Sequence, residues 1–182
     1  IFMKNYTKLG LFLIALSIFT ASCTFEDGDT YRVDDVDAYS EFINVNRTAW
    51  NYDDVGPRHY VRYNVPIITE NIINSGVVLV YMAELGTTNN RWRLMPRTEV
   101  FFDRDNESIL YTVEWGFWVE PGIVELEYFR SKDWNIGPDE NVDIKIVVID
   151  DLSDYDTSQI NFEDYDEIKS RFDIQEVSLP NK

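Results

Sequence analysis

The chain has 182 residues and a formal net charge of −17, and 15% of its residues are aromatic. A surface this acidic repels phosphate backbones and anionic lipid headgroups, which argues against nucleic acid as a partner. The single cysteine precludes an intramolecular disulfide, so an apolar core rich in aromatic rings must hold the fold together. The single histidine, His59, excludes a metal site built from several histidines.

The first 23 residues have the pattern of a secretory signal. A basic start with Lys4 and Lys8 precedes the apolar run Leu9–Phe19, which is too short to span a bilayer. The small residues Thr20–Ser22 then lead to Cys23. This combination resembles the lipobox of bacterial lipoproteins, in which the cysteine is lipidated and becomes the mature first residue. The resemblance implies a membrane anchor on Cys23 and a place on the outer membrane or cell surface; the competing interpretation is an ordinary signal peptide with an incidental cysteine.

Residues 24–38 are acidic and polar, which predicts a flexible tether. Within them, Glu26-Asp27-Gly28-Asp29 resembles the acidic patch that directs Bacteroidetes lipoproteins to the cell surface. A solvated linker would have the same composition. We expect the folded part to comprise a β-sandwich domain at 39–150 and an acidic loop with a C-terminal helix at 151–182.

From Tyr39 onwards apolar and polar residues alternate in short runs, the pattern of half-buried strands. In Arg58–Val65, for example, His59 and Val61 fall on one side and Arg62 on the other. The segment Val77–Glu84 is apolar on both sides, which predicts an interior strand covered on both faces. The sequence therefore predicts a mainly β fold: an antiparallel β-sandwich of about seven to nine strands, with a short internal helix and a C-terminal helix.

The two helices have recognisable ends. Thr69 is a suitable N-cap for a helical turn that ends at Ser75, and Gly76 fits a C-terminal position with positive φ. The second helix is predicted to begin after Asn161, with its apolar stripe formed by Phe162, Tyr165, Ile168 and Phe172.

Something must cover the second apolar face of Val77–Glu84, and the C-terminal helix is the one amphipathic element of suitable length. We therefore predict that its stripe packs on the outer face of a sheet. The contact would be with Val78, Val80 and Met82, or with their alternates Leu79 and Tyr81.

Several local patterns between Phe42 and Phe172 resemble those of a known group of proteins. They are Ile-Ile-Thr-Glu-Asn-Ile-Ile-Asn-Ser-Gly, Trp-x-Leu-x-Pro at Trp92, Leu94 and Pro96, Val147-Val148-Ile149, and the tail Tyr165–Lys169. From Phe42 to Phe172 their order resembles that in small lipoproteins of Bacteroidetes, which have no assigned activity. The resemblance implies a single β-domain with a C-terminal helix and supplies no catalytic residue.

Enzyme chemistry is poorly represented in the sequence. A Ser-His-Asp arrangement would have to use His59, and no Gly-x-Ser-x-Gly motif is present. The sequence has no glycine-rich phosphate-binding loop, so we expect no cofactor. With 33 acidic residues, no pair of carboxylates stands out as a glycosidase pair. The sequence favours a non-enzymatic binding or structural module of the envelope, with a protein or a glycan as its partner.

Calcium is a second possibility to weigh. Asp103, Asp105 and Glu107 have the spacing of calcium ligands in a loop, with Glu114 at the twelfth position. However, Ser108 occupies the position where such a loop needs glycine, and Glu114 lies within an alternating strand. A polar hairpin tip is the interpretation that the sequence favours.

Five tryptophans suggest carbohydrate binding, because sugar rings stack on exposed aromatic faces. Trp50, Trp92 and Trp115 fall on alternating strands and are expected in the core. Trp118 and Trp134 lie in or near loops and are the candidate platforms. The alternative function is therefore a glycan-binding accessory lipoprotein of a surface saccharide-uptake system.

Overall fold

The computed structural model describes residues 38–84, 91–103, 105 and 108–177. The signal sequence, Cys23, nearly all of the predicted tether and Glu107 lie outside these residues, so the predictions made for them remain predictions. No helix in the described part of the chain is long and apolar enough to cross a membrane.

The described residues form ten strands and two helices. In chain order these are β1 Ala38–Val45, β2 Asn51–Asp53, β3 Arg58–Asn64, α1 Glu70–Ser75, β4 Val77–Ala83, β5 Trp92–Leu94, β6 Arg97–Phe102, β7 Ile109–Glu120, β8 Ile123–Arg130, β9 Val142–Ile149, α2 Tyr165–Arg171 and β10 Gln175–Val177. Sheet A has the strand order β10-β1-β9-β4-β5, and sheet B has the order β2-β3-β8-β7-β6. All neighbours are antiparallel except β10, which runs parallel to β1. The predicted antiparallel β-sandwich with an internal and a C-terminal helix is confirmed.

The two sheets enclose one apolar core. Alternate side chains of each strand point into it because successive residues of a strand face opposite sides. The main contributors are Val61, Val80, Met82, Val113, Trp115, Val124, Leu126, Ile144, Ile146 and Val148. Burying such a side chain stabilises the fold by about 1.5–3 kcal/mol, so this cluster is the largest stabilising element of the sandwich.

A second apolar cluster lies on the outer side of sheet A. Leu79 and Tyr81 of β4 face away from the sandwich core and pack against Tyr165, Ile168 and Phe172 of the α2 region. The Tyr81 hydroxyl also donates a hydrogen bond of 2.8 Å to the carbonyl of Phe162. The prediction that the C-terminal helix covers the second face of this strand is confirmed, on the side of Leu79 and Tyr81.

The predicted start of that helix is wrong. Asp164, rather than Asn161, is the N-cap of α2, and its carboxylate accepts the backbone N–H groups of Asp166 and Glu167 at 3.0 and 3.2 Å. Asn161 instead begins a preceding turn, in which its side chain accepts the N–H of Glu163. A carboxylate in this position has the additional advantage of lying at the positive end of the helix dipole.

The prediction that Gly76 has a positive φ is also wrong. Thr69 caps α1 as predicted, but Gly76 has a φ of −98°, which any residue can adopt. A Cβ atom at this position would lie 2.3 Å from the carbonyl oxygen of Ile149 and 2.6 Å from that of Asp150. Glycine is therefore required here because two backbone segments approach closely.

Candidate functional site

The candidate site lies on the outer side of sheet B, which we call the open face. Its outward-pointing residues on three adjacent strands are Arg58, Tyr60, Arg62, Gly116, Trp118, Ile123, Glu125, Glu127 and Phe129. Strands β7 and β8 pair so that Trp118 lies directly opposite Glu125, and Gly116 lies opposite Glu127. The pairing of β3 with β8 places Arg62 opposite Glu125 on the other side.

Two arginines and two glutamates form a charged cluster on this face. Arg58 Nη1 donates to Glu125 Oε1 at 2.7 Å and also contacts Glu127 Oε1, while Arg62 Nε donates to Glu125 Oε2. Both glutamates are buried although they point away from the core. Their burial is tolerated because each carboxylate has a charged partner.

The electrostatics of Glu125 follow from these contacts. Burial acts to raise the pKa of the Glu125 carboxyl, but the hydrogen bonds from Arg58 and Arg62 outweigh it and hold the pKa below the ordinary value. Glu125 is therefore ionised at neutral pH. Its charge keeps the arginines in place, so the four groups form a preorganised set of donors and acceptors.

Two concavities adjoin on the open face. The first, of about 500 Å³, is lined by Trp118, Ile123 and Phe129 together with the charged cluster. The second, of about 380 Å³, is lined by Trp134, by Pro57 and again by Phe129. Trp118 is 65% exposed and Trp134 is 50% exposed. The two concavities share Phe129 as a lining residue, and each has one exposed indole ring.

The two predicted platforms come from different parts of the chain. Trp118 lies in β7 near its end at Glu120, whereas Trp134 lies in the loop after β8. The second concavity is also lined by Glu114, which lies four positions before Trp118 on β7. Four positions along a strand correspond to roughly 13 Å between these two residues. The open face is thus long enough for a ligand that contacts both rings in an extended form.

Of the three tryptophans expected in the core, Trp115 is buried, whereas Trp50 and Trp92 are partly buried against the two apolar clusters. Trp115 is buried between the sheets, and Trp50 packs on it with ring centroids 5.9 Å apart. Trp92 packs on Tyr165 beneath α2 at 6.0 Å. His59 is buried on the inner side of β3 against Tyr128, and burial lowers its pKa.

The candidate calcium ligands are used locally. The carboxylate of Asp103 accepts the backbone N–H of Asp105 at 2.8 Å, which is typical of a polar hairpin tip, and Glu107 lies outside the described residues. Among the residues that the structure describes, no three histidine, cysteine, aspartate or glutamate side chains are grouped so that they could hold a metal ion.

Sequence reasoning did not identify the charged cluster or Phe129 as parts of a site. The alternation Val124-Glu125-Leu126-Glu127 in β8 is enough to put the two glutamates on one side of the strand and the apolar residues on the other. Nothing local indicated that Arg58, 67 residues away from Glu125, would lie beside them. The cluster can be recognised only when the pairing of the strands is known, because the pairing shows that charged residues at outward-facing positions are buried.

Comparison with protein-family models, curated proteins and solved structures found no match for this chain. Its class is therefore defined by fold and surface: a two-sheet β-sandwich that has a helix on one outer side and an open aromatic face on the other.

Proposed function

We propose that this protein is a non-enzymatic binding module of the bacterial envelope and that it holds a carbohydrate chain on its open face. The observation that carries the proposal is the position of Trp118 and Trp134, which line adjoining concavities on one side of one sheet. Exposed indole rings offer large flat apolar surfaces, on which the C–H faces of sugar rings stack. Two such rings in adjoining concavities suit an extended chain of sugars.

The charged cluster supplies the polar part of the proposed site. Carboxylate oxygens of Glu125 and Glu127 accept hydrogen bonds from sugar hydroxyls, and the guanidinium groups of Arg58 and Arg62 donate them. Binding sites of this kind combine apolar walls with a few oriented polar groups. Because the four side chains already hold one another, little conformational entropy is lost when a ligand binds.

The state of Glu125 bears on one of the two carboxyl roles in glycoside hydrolysis, that of the general acid. Hydrolysis of a glycosidic bond requires a protonated carboxylic acid next to a second carboxylate. The arginines lower the pKa of Glu125, so this residue lacks the proton at neutral pH. We expect no turnover of glycosides, esters or peptides; turnover that is lost in Glu125→Gln would contradict this.

The glycan proposal is tested by retention on immobilised polysaccharides and by calorimetry. Trp118→Ala and Trp134→Ala should each weaken binding by more than about 1 kcal/mol, a cost that only a minority of interface residues exceed. The matched control is Phe42→Ala, which removes a ring of similar exposure, 47%, from the outer side of sheet A. Unchanged retention in the double tryptophan variant would overturn the proposal, as would an equal loss in Phe42→Ala.

The location in the envelope is proposed from the leader. If Cys23 is lipidated, the full chain should partition into detergent and incorporate a clickable fatty acid, and Cys23→Ala should release it as soluble protein. More than one acyl chain is needed for stable anchoring, which such a lipidated cysteine provides. Unlabelled, detergent-independent wild-type protein would exclude the anchor.

A further inference from the structure

The free end of the hairpin formed by β6 and β7 concentrates exposed apolar side chains. This apolar hairpin end consists of Val100, Phe101, Phe102, Ile109 and Leu110. Their exposure ranges from 39% for Phe101 to 60% for Ile109. Val100 and Phe101 are neighbours in β6 and point to opposite sides of the hairpin, so both sides carry exposed apolar groups. A local concentration of exposed apolar residues is a candidate interaction site.

The same hairpin offers an open sheet edge. Strand β6 is the last strand of sheet B, and among the described residues only β7 pairs with it. It has six residues, whereas β2 at the opposite edge has three. The edge of β6 that faces away from β7 thus presents a row of backbone N–H and C=O groups. Such a row is a template for pairing with another extended chain.

A cleft of about 510 Å³ runs beside this strand, which we call the end cleft. Its aromatic walls are Phe101, Tyr111, Trp115 and Tyr128. Phe101 and Tyr111 stack with ring centroids 4.6 Å apart, so one wall is built by the hairpin itself. A strand added to β6 would place alternate side chains over this cleft, because successive residues of a strand point to opposite sides.

The rim of the end cleft is acidic. Glu99, Asp139 and Glu140 line it, and no basic side chain among the described residues belongs to its lining. Glu99 is paired with Arg97 at 2.8 Å, but within the described residues neither Asp139 nor Glu140 forms an ion pair. The nearby Arg130 stacks on Tyr111 at 4.0 Å outside the lining of the cleft. Arg47 Nη1 donates to the backbone carbonyl of Asp139 at 3.4 Å rather than to a carboxylate. The carboxylates of Asp139 and Glu140 are therefore left without a direct ion pair among the described residues.

We infer that β6 accepts an extended segment of a partner protein as an added strand, with apolar side chains of that segment in the end cleft and a basic residue opposite Asp139 and Glu140. In this mode of recognition, main-chain hydrogen bonds supply affinity, and pockets for alternate side chains supply specificity. A second copy of this chain fits poorly, because its net charge of −17 repels an equally charged partner. The surface is separate from the open face and independent of glycan binding.

The test uses the full chain and three synthetic peptides that share a pattern of alternating apolar residues. The first has lysine at the polar positions, the second glutamate, and the third is the lysine peptide with a central proline. We expect the lysine peptide to bind at least about tenfold tighter than the glutamate peptide, because the rim discriminates by charge. Proline should abolish binding since it removes a ladder hydrogen bond, and hydrogen exchange should slow at the β6 amides.

Two variants and one control test whether the peptide binds at β6 and the rim of the end cleft. Glu140→Lys, on the exposed rim, should reduce the preference for lysine over glutamate. Val100→Lys, on the edge strand, should weaken binding of the lysine peptide, whereas Val55→Lys in a remote exposed turn should not. Equal binding of both charged peptides, or unchanged exchange at the β6 amides, would overturn the proposal. Self-association of the chain that Val100→Lys abolishes would identify a second copy as the occupant and would also overturn it.

Discussion

The two outer faces of the sandwich are built by the same strand alternation, yet one is covered by a helix and the other is open to solvent. On sheet A the outward residues Leu79 and Tyr81 are apolar and buried beneath α2. On sheet B the outward positions hold Arg58, Glu125 and the exposed Trp118. An apolar outer face lowers its free energy only when another element removes it from water. A face whose polar groups pair with one another can remain in contact with solvent.

This difference separates stability from binding. The covered face contributes burial of apolar area, so changes there should act on the free energy of unfolding. The open face contributes charge pairs, whose net value is small where the groups are exposed, together with indole rings that contact little else. Changes to its exposed groups should act mainly on ligand affinity.

The largest expected effect is truncation of the chain before Asn161. This removes Tyr165, Ile168 and Phe172, each worth about 1.5–3 kcal/mol of burial, from a total stability of about 5–15 kcal/mol. The melting temperature should fall sharply, and the exposed face should bind a hydrophobic dye. Ile168→Ala alone should cost about 2–5 kcal/mol. A truncated chain that melts like the full one would show that the covered face does not depend on this helix.

A smaller effect is expected from the charged cluster of the open face. Arg58→Ala leaves the buried Glu125 and Glu127 without a shared donor, which should cost about 1–3 kcal/mol in urea unfolding. Arg62→Ala is the matched comparison, because its side chain is 65% exposed against 23% for Arg58. It should cost clearly less than Arg58→Ala, because ion pairs of exposed groups contribute little to stability. Equal losses of stability in the two variants would mean that the contribution of an arginine here does not depend on how buried its ion pair is.

The third prediction concerns acid stability of the covered side. Lys145, Lys169 and Tyr165 donate to Glu176 Oε1 at 2.8, 2.9 and 2.9 Å, and these bonds lower the pKa of Glu176 to about 2. The carboxylate therefore stabilises the fold above its ordinary pKa of 4.5, and this contribution is lost as the pH falls towards 2.

In Glu176→Gln this pH-dependent contribution is absent. The wild type should be more stable by no more than about 1 kcal/mol near neutrality, since the group is half exposed to screening solvent. The difference in unfolding free energy should vanish through the acid range. A difference that stays constant from neutral to acid pH would exclude the proposed linkage.

The smallest effect on stability is expected at the open face. Trp118→Ala should change the free energy of unfolding by less than about 0.5 kcal/mol, as for surface residues away from packed features. Thermal unfolding of the variant checks this directly. A loss of several kcal/mol would make the indole ring a packing residue, and its use as a platform would then lose its main support.

Much of the fold was accessible from local patterns. Period-two alternation correctly put His59 and Val61 on one side of a strand and Arg62 on the other, and the first two are buried. This works because side-chain direction in a strand depends only on position along it. The apolar stripe of Tyr165, Ile168 and Phe172 likewise predicted a helix with one buried side. Its start was missed because Asn161 and Asp164 are both competent caps, and only the surrounding chain path selects between them.

The candidate site shows where local reasoning ends. The sequence by itself pointed to Trp118 and Trp134 as the tryptophans outside the core. It placed Trp118 in or near a loop, whereas this residue lies within β7 and points outward. Only the tertiary structure placed Arg58 beside Glu125 and brought both indole rings to one face. Strand order and register join residues far apart in sequence, and they are selected by the total burial of the sandwich rather than by any short stretch of chain. The same reason explains Gly76, whose role depends on a backbone carbonyl at Ile149.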